Sequence, residues 1–290
     1  MARHESAKGK IAGAIVVIIV VVLAAWWYFS QMPALDLARR GPAPERPASA
    51  SSAPEPIEHP ISEAQTEPAG ATSAPLPPLP ALDASDGAAA AALADIPGAQ
   101  GLADLLIARG LIPHLVAAVD ALSHHGTLGS SIVPLRTPQG TFAVSHSGAG
   151  LTIDPANYAR YTPYMRIVEA IDARRAVSWY VRWYPLFQQA YRQLGYPRGY
   201  FNDRLMATLD DLLAAPNVNG PVQLVAARNG HYALADPTWE SLSAGQKLMI
   251  RMGPENERAL KIKLNRIRAL LLGKAPAHSS GDATPLPPPA

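Results

Sequence analysis

Between Lys10 and Asp36 the chain carries no charged residue, and from Ile11 to Phe29 it is almost continuous Ile, Val, Leu and Ala. At about 1.5 Å per helical residue those roughly nineteen positions rise about 28 Å, close to the hydrocarbon thickness of a bilayer. Residues 11–31 are therefore predicted to be a transmembrane helix. Trp26, Trp27 and Tyr28 close the run, where amphipathic rings favour the headgroup region. A cleaved signal peptide is the rival reading, but its apolar stretch would be about 7 to 15 residues and would end in small side chains. This run is longer and ends in bulky rings, which favours a retained anchor.

The charges that flank the span set its orientation. Arg3, Lys8 and Lys10 precede it within residues 1–10, whereas Arg39 and Arg40 follow at a distance and Asp36 offsets them. The positive-inside bias then predicts a cytoplasmic N-terminus, with everything after Phe29 on the other side.

Residues 32–78 are mostly Pro, Ala, Ser and Glu, a composition that buries too little apolar surface to offset the entropy of ordering. This stretch is predicted to be a disordered Pro-rich linker, its ends about 40 Å apart as a flexible coil and about 150 Å apart as pure polyproline II. Residues 274–290, which end in Pro285 to Pro289, repeat the composition and read as a disordered C-terminal tail. Pro75 to Pro80 has a form that fits an aromatic groove in a partner, although Pro-rich spacers need no such role.

Between the two lies a folded domain, residues 79–273, in which helix signals dominate. Leu115, Val119 and Leu122 recur at helical spacing after Pro113. Asp154-Pro155, Thr162-Pro163 and Asp236-Pro237 each set a capping side chain before a proline suited to the first helical turn. Asp172 opens a long segment that runs towards Gly195, with Pro185 inside it expected to kink or divide the helix. Phe201, Leu205, Leu209 and Leu212 form one stripe, and Leu260, Leu264, Ile267 and Leu271 another after Gly253-Pro254. Ser243 and Gln246 have capping-box spacing. Val222 to Ala226 and His231 to Leu234 flank Asn229-Gly230, a pair suited to a tight hairpin. A weaker hairpin is expected from Ile132 to Leu135 and Thr141 to Val144. The fold class is thus mainly α: a transmembrane helix, a linker, and an α-rich domain with one or two small β-hairpins.

Five stretches in order, Leu82 to Asp86 (LDASD), Asn157 to Tyr164 (NYARYTPY), Tyr184 to Pro197 (YPLFQQAYRQLGYP), Ala235 to Glu240 (ADPTWE) and Gln246 to Pro254 (QKLMIRMGP), resemble successive blocks of the domain of unknown function 3014. The resemblance covers most of Leu79 to Leu272. It implies a bacterial envelope protein with an N-terminal anchor, and so a single-pass inner-membrane protein with a periplasmic domain. It implies no activity, cofactor or catalytic residue.

Eight of the ten tyrosines lie between Tyr158 and Tyr200, together with Trp179 and Trp183. Rings beside Asn157, Arg160, Arg166 and Gln188 are what a sugar-stacking or peptide-binding groove needs. However, Tyr180, Tyr184, Phe187 and Tyr191 repeat at helical spacing beside Trp179, Trp183, Leu186 and Ala190, as the inner side of an amphipathic helix does. The binding candidates are therefore Tyr158, Arg160, Tyr161, Tyr164 and Arg166, which cluster at a helix junction. Basic residues of the last helix, Arg258, Lys261, Lys263, Arg266, Arg268 and Lys274, form either a face for an anionic partner or a solvated helix end.

Asp203, Asp210, Asp211 and Glu169 are the carboxylates available to a glycosidase-like pair, but nothing in the sequence fixes their separation. His124-His125 lacks the i, i+4 spacing of zinc helices. The chain has no cysteine, which removes thiolate metal sites and cysteine nucleophiles. No phosphate-binding glycine loop, dinucleotide fingerprint or GxSxG is present, and no cofactor or metal is expected. A net charge of +2 gives no concentrated basic field for nucleic acid. The expected function is a membrane-anchored, non-catalytic binding or scaffolding module facing the periplasm, with an envelope protein or the cell wall as partner. The alternative is a cell-wall-directed hydrolase that uses the domain's carboxylates.

Overall fold

A computed structural model describes residues 56–66, 77–125, 132–136, 140–148, 150–227 and 231–274. The expected span, most of the linker, the tail beyond Lys274 and the turn residues Asn229 and Gly230 lie outside them. Among the described residues no helix is long and apolar enough to cross a membrane. These residues form ten α-helices and a four-stranded sheet.

The long amphipathic segment becomes helix α6 (Ala173–Gln193), opened by the Asp172 carboxylate, which accepts the Arg175 amide. Pro185 does not divide it. The neighbouring rows of rings face inward: Trp179, Tyr180 and Phe187 are each at most 1% exposed. Edge-to-face contacts of 5.5 Å between Tyr180 and Phe187 and 5.8 Å between Trp179 and Phe187 fix their orientation. Helix α3 (Leu111–Leu122) packs on one side of α6, and α7 (Phe201–Leu213) and α10 (Pro254–Leu271) complete the bundle. Each turns its predicted apolar stripe into the core.

Shorter elements link these helices. They are α1 (Asp86–Ala94), α2 (Leu102–Leu105), α4 (Ala156–Ala159), α5 (Thr162–Ala170), α8 (Pro237–Glu240) and α9 (Ala244–Arg251). Most predicted starts recur as real caps, but Thr162 does not cap: it is the first residue of α5, and Tyr161 before it makes no side-chain cap. Asp154 accepts the Ala156 amide, Asp236 the Thr238 amide and Ser243 Oγ the Gln246 amide.

The sheet runs β1 (Val144–Ser147), β2 (Gly150–Ile153), β3 (Gln223–Ala226) and β4 (Tyr232–Leu234), all antiparallel, with Val144 opposite Ile153 and Leu224 opposite Leu234. Ile153, Val222, Leu224 and Leu234 close over Ile250 of α9 as a second small core. The expected β3–β4 hairpin is present. The weaker hairpin is not: Leu135 makes an isolated bridge to Leu106, and the Ile107 amide donates to the Pro134 carbonyl. Val133 and Leu135 are buried against the helices, a stronger demand than a short edge pairing. Val144 instead pairs across a turn that Gly150 leaves with φ 115°, a value open to glycine.

A second correction concerns the linker. Residues 56–66, expected to stay unfolded, lie against the domain, with a short 3₁₀ turn at Ile61–Glu63. Asp203 accepts the amides of Glu58 (3.3 Å) and His59 (2.7 Å), and Asn202 Nδ2 donates to the His59 carbonyl. Gln65 reaches the other side of the bundle: its amide donates to the Leu270 carbonyl and its side chain to the Gly273 carbonyl. Ile61 and Ala64 pack on the core. Average composition hides these few anchors. Proline at positions 56 and 60 also reduces the freedom the chain loses on docking.

Candidate functional site

The junction of α4 and α5 holds the five residues singled out above, and each can be followed to its partners. Asn157, 3% exposed, bonds both the amide and the carbonyl of Ala143 as well as the Asp154 carbonyl, so it fastens the loop before β1 to α4. Arg160 continues that fastening, donating to the Gly140 (2.6 Å) and Thr141 (3.1 Å) carbonyls. The Tyr161 ring is buried, and burial pushes its phenol up to about 12. Tyr164 is buried as well, with its hydroxyl donating to the Arg136 carbonyl at 3.0 Å; its pKa also rises to about 12 through burial. Tyr158 is half-buried beside the sheet's small core, and its ring covers Gly253. A Cβ at Gly253 would lie 2.6 Å from that ring, and φ is 89° there, so only glycine fits. Arg166 is exposed.

Tyr158, Arg160, Tyr161 and Tyr164 are thus gathered at one junction, but the last two tyrosines point into the core. What the junction offers to solvent is Arg166 and part of Tyr158, since the Arg160 guanidinium is engaged by the Gly140 and Thr141 carbonyls.

The carboxylates do not converge. Asp210 pairs with Arg268 of α10. Asp203 holds the docked segment 56–66. Glu169 is exposed, and its backbone carbonyl accepts from Lys263. Asp211 accepts from Ser243 Oγ at 2.6 Å, and His125 is near enough for its charge to act on Asp211. Those three residue types suggest a nucleophile, base and orienter, but the geometry is that of a helix cap. Ser243 Oγ is buried, donates to Asp211 and receives the Gln246 amide, while His125 Nδ1 meets the Ser241 carbonyl at 2.8 Å. Burial raises the Asp211 pKa, against the hydrogen bond from Ser243. Among the described residues no group of three His, Asp or Glu is placed to hold a metal ion.

Other polar residues of the blocks also join elements. Asp86 accepts the amides of Gly110 and Leu111 and so caps α3 from a distance. Gln188 Oε1 accepts the Phe201 amide and the Tyr184 hydroxyl while its Nε2 donates to the Gly199 carbonyl, which fixes the start of α7 on α6. Buried Lys247 donates to Glu240, whose other oxygen accepts the Leu234 amide. On α10, Lys261 bonds Glu257 and the Ala215 carbonyl, and Lys263 bonds the Ile171 carbonyl. Half of the basic face is thus occupied with holding α10 in place, leaving Arg258 and Arg266 exposed.

A feature that the sequence reading did not assemble is a groove of about 270 Å³ between Pro77–Pro80 and helices α1 and α6. Ala88, Ala92, Trp179, Arg182 and Trp183 line it. Arg182 donates to the Pro77 carbonyl across its mouth. The signals were present, a proline run and a pair of tryptophans one helical turn apart, but about a hundred residues separate them.

These features define a mainly helical domain with a small antiparallel sheet, whose block residues are joints. Residues 111–268 match the family described as protein of unknown function (DUF3014), and the chain belongs to that family. No curated protein and no solved structure matches it.

Proposed function

We propose that the chain is a single-pass envelope protein of a bacterial inner membrane, whose folded domain is a non-catalytic binding or scaffolding module on the periplasmic side. The observation that carries this reading is the destination of the polar side chains. Asn157, Asp86, Gln188, Glu240 and the carboxylates Asp203, Asp210 and Asp211 tie one element to another instead of meeting around a cavity. A catalytic pair needs two groups aimed at one substrate bond. A module that acts by position needs rigid joints and a recognition surface, here the exposed arginines Arg166, Arg258 and Arg266. The apolar run at Ile11–Phe29 supports the anchor, and the charges before it support the orientation. Docking of residues 56–66 leaves roughly two dozen residues between span and domain, a reach of about 75 Å at full polyproline extension.

Incubation of purified sacculi with the full-length protein tests this against hydrolysis. The expected release of soluble cell-wall fragments equals that of heat-denatured protein. Release above that level, abolished in Asp211→Asn or Asp210→Asn protein of unchanged melting temperature, would replace the module by a hydrolase.

A further inference from the structure

Residues 56–66 lie on the domain without sinking into it. None of them is buried; Ile61 and Ala64 pack on the core only partly covered, and the first buried side chain of the described chain is Leu82. The segment is held at two stations. At the first turn of α7, Asp203 Oδ1 accepts the His59 amide and Oδ2 the Glu58 amide, while Asn202 Nδ2 donates to the His59 carbonyl. At the end of α10, the Gln65 amide donates to the Leu270 carbonyl at 2.8 Å and its Nε2 to the Gly273 carbonyl at 2.6 Å. This second station is shaped for the segment: a Cβ on Gly273 would lie 2.8 Å from the Glu63 carbonyl oxygen, and φ there is 67°, so only glycine leaves room for the chain to pass. Hydrogen bonds that water can reach exchange for bonds to water at small net cost. A segment with few buried apolar contacts therefore opens on its own, ahead of the fold around it.

The stations also stand in the path of a pull on the chain. A load applied before Pro56 reaches the bonds of Glu58 and His59 first and then those of Gln65, so it peels the segment and meets few bonds at once. Beyond Gln65 and Thr66, the next hold among the described residues is the Arg182 bond to the Pro77 carbonyl. Release therefore lengthens the chain between span and domain from residues 32–55 to residues 32–76, and its polyproline reach from about 75 Å to about 140 Å. We propose that residues 56–66 are a releasable latch that gives the tether two lengths, short when docked on Asn202, Asp203, Leu270 and Gly273 and nearly twice as long when free. The use of those lengths rests on the anchor proposed above; the release itself does not.

Because the chain has no cysteine, pulling handles can be attached without background through Ala43→Cys and Ala277→Cys, both outside the described residues. The full-length protein in detergent micelles is stretched between them in optical tweezers. The first handle follows the apolar run, so the reading is the same whether or not that run is an anchor. The expected result is a reversible lengthening of up to about 75 Å, roughly twenty residues at ~3.6 Å each, at a force below the one that unfolds the domain. At one fixed force, the open-to-closed ratio should rise at least tenfold in Asp203→Ala/Gln65→Ala protein. Gln65→Ala alone, which leaves α7 untouched, should raise it at least threefold, and the separate unfolding step of the domain shows that each variant is folded. Lengthening that comes only together with domain unfolding would overturn the proposal. So would an open-to-closed ratio that neither variant changes.

Discussion

Asn202 is the joint on which the docked part of the linker and the aromatic core meet, and its replacement tests both. The side chain is 1% exposed; its Oδ1 accepts the Tyr180 hydroxyl at 3.1 Å and its Nδ2 donates to the His59 carbonyl at 2.8 Å. Asn202→Ala removes two hydrogen bonds worth about 0.5–1.5 kcal/mol each and leaves the buried Tyr180 hydroxyl without its acceptor, a further cost of about 1–3 kcal/mol. A total of about 2–6 kcal/mol corresponds to a fall of roughly 5–20 °C in melting temperature for a domain of this size. Tyr180→Phe in the Asn202→Ala background should recover part of the loss, because the unsatisfied hydroxyl is then gone, and the cycle gives the coupling directly. Limited proteolysis should cut within residues 56–66 more readily in the single variant, since His59 has lost one of its two anchors and keeps only the bond of its amide to Asp203. Calorimetry that places Asn202→Ala within 1 °C of the parent, with unchanged proteolysis, would refute the joint.

Gly253→Ala should lower the melting temperature by several degrees, because φ is 89° and the new Cβ meets the Tyr158 ring; a Tyr158→Ala background should relieve only the steric part. Tyr161→Ala should cost about 3–5 kcal/mol as a buried ring is lost, whereas Arg166→Ala should stay within about 0.5 kcal/mol, both by thermal melting. Burial pushes the phenols of Tyr161, Tyr164 and Tyr184 up to about 12 from the ordinary 10.0, so their phenolate absorbance should appear late. Between those values the unfolded chain releases protons that the fold retains, and stability should therefore fall as pH rises from about 10 to about 12. Deleting residues 56–66 should lower the melting temperature measurably, while deleting Ala43–Ser52 should not.

Elements with strong periodicity or a capping pair were legible in the sequence. The stripes at Phe201–Leu212 and Leu260–Leu271 and the caps at Asp154, Asp172, Asp236 and Ser243 all depend on residues within a few positions of one another. What sequence could not deliver depends on distant partners. Asp203 reads as a surface carboxylate until Glu58 and His59, far back in the linker, present their amides to it. Tyr161 and Tyr164 read as junction residues open to a ligand; the turn of the chain at Asn157 rotates their rings into the bundle. The tryptophan groove needs Pro77–Pro80 laid along α6, a contact that no local pattern encodes.

The central claim is an anchored module on the far side of an inner membrane. Fusing a reporter that is active only outside the cytoplasm, once after Gly41 and once before Ile11, tests it most directly. The account predicts activity after Gly41 and none before Ile11, with the first fusion retained in membranes washed in high salt and released by detergent. Activity only before Ile11, or a fusion that salt alone removes from the membrane, would contradict it.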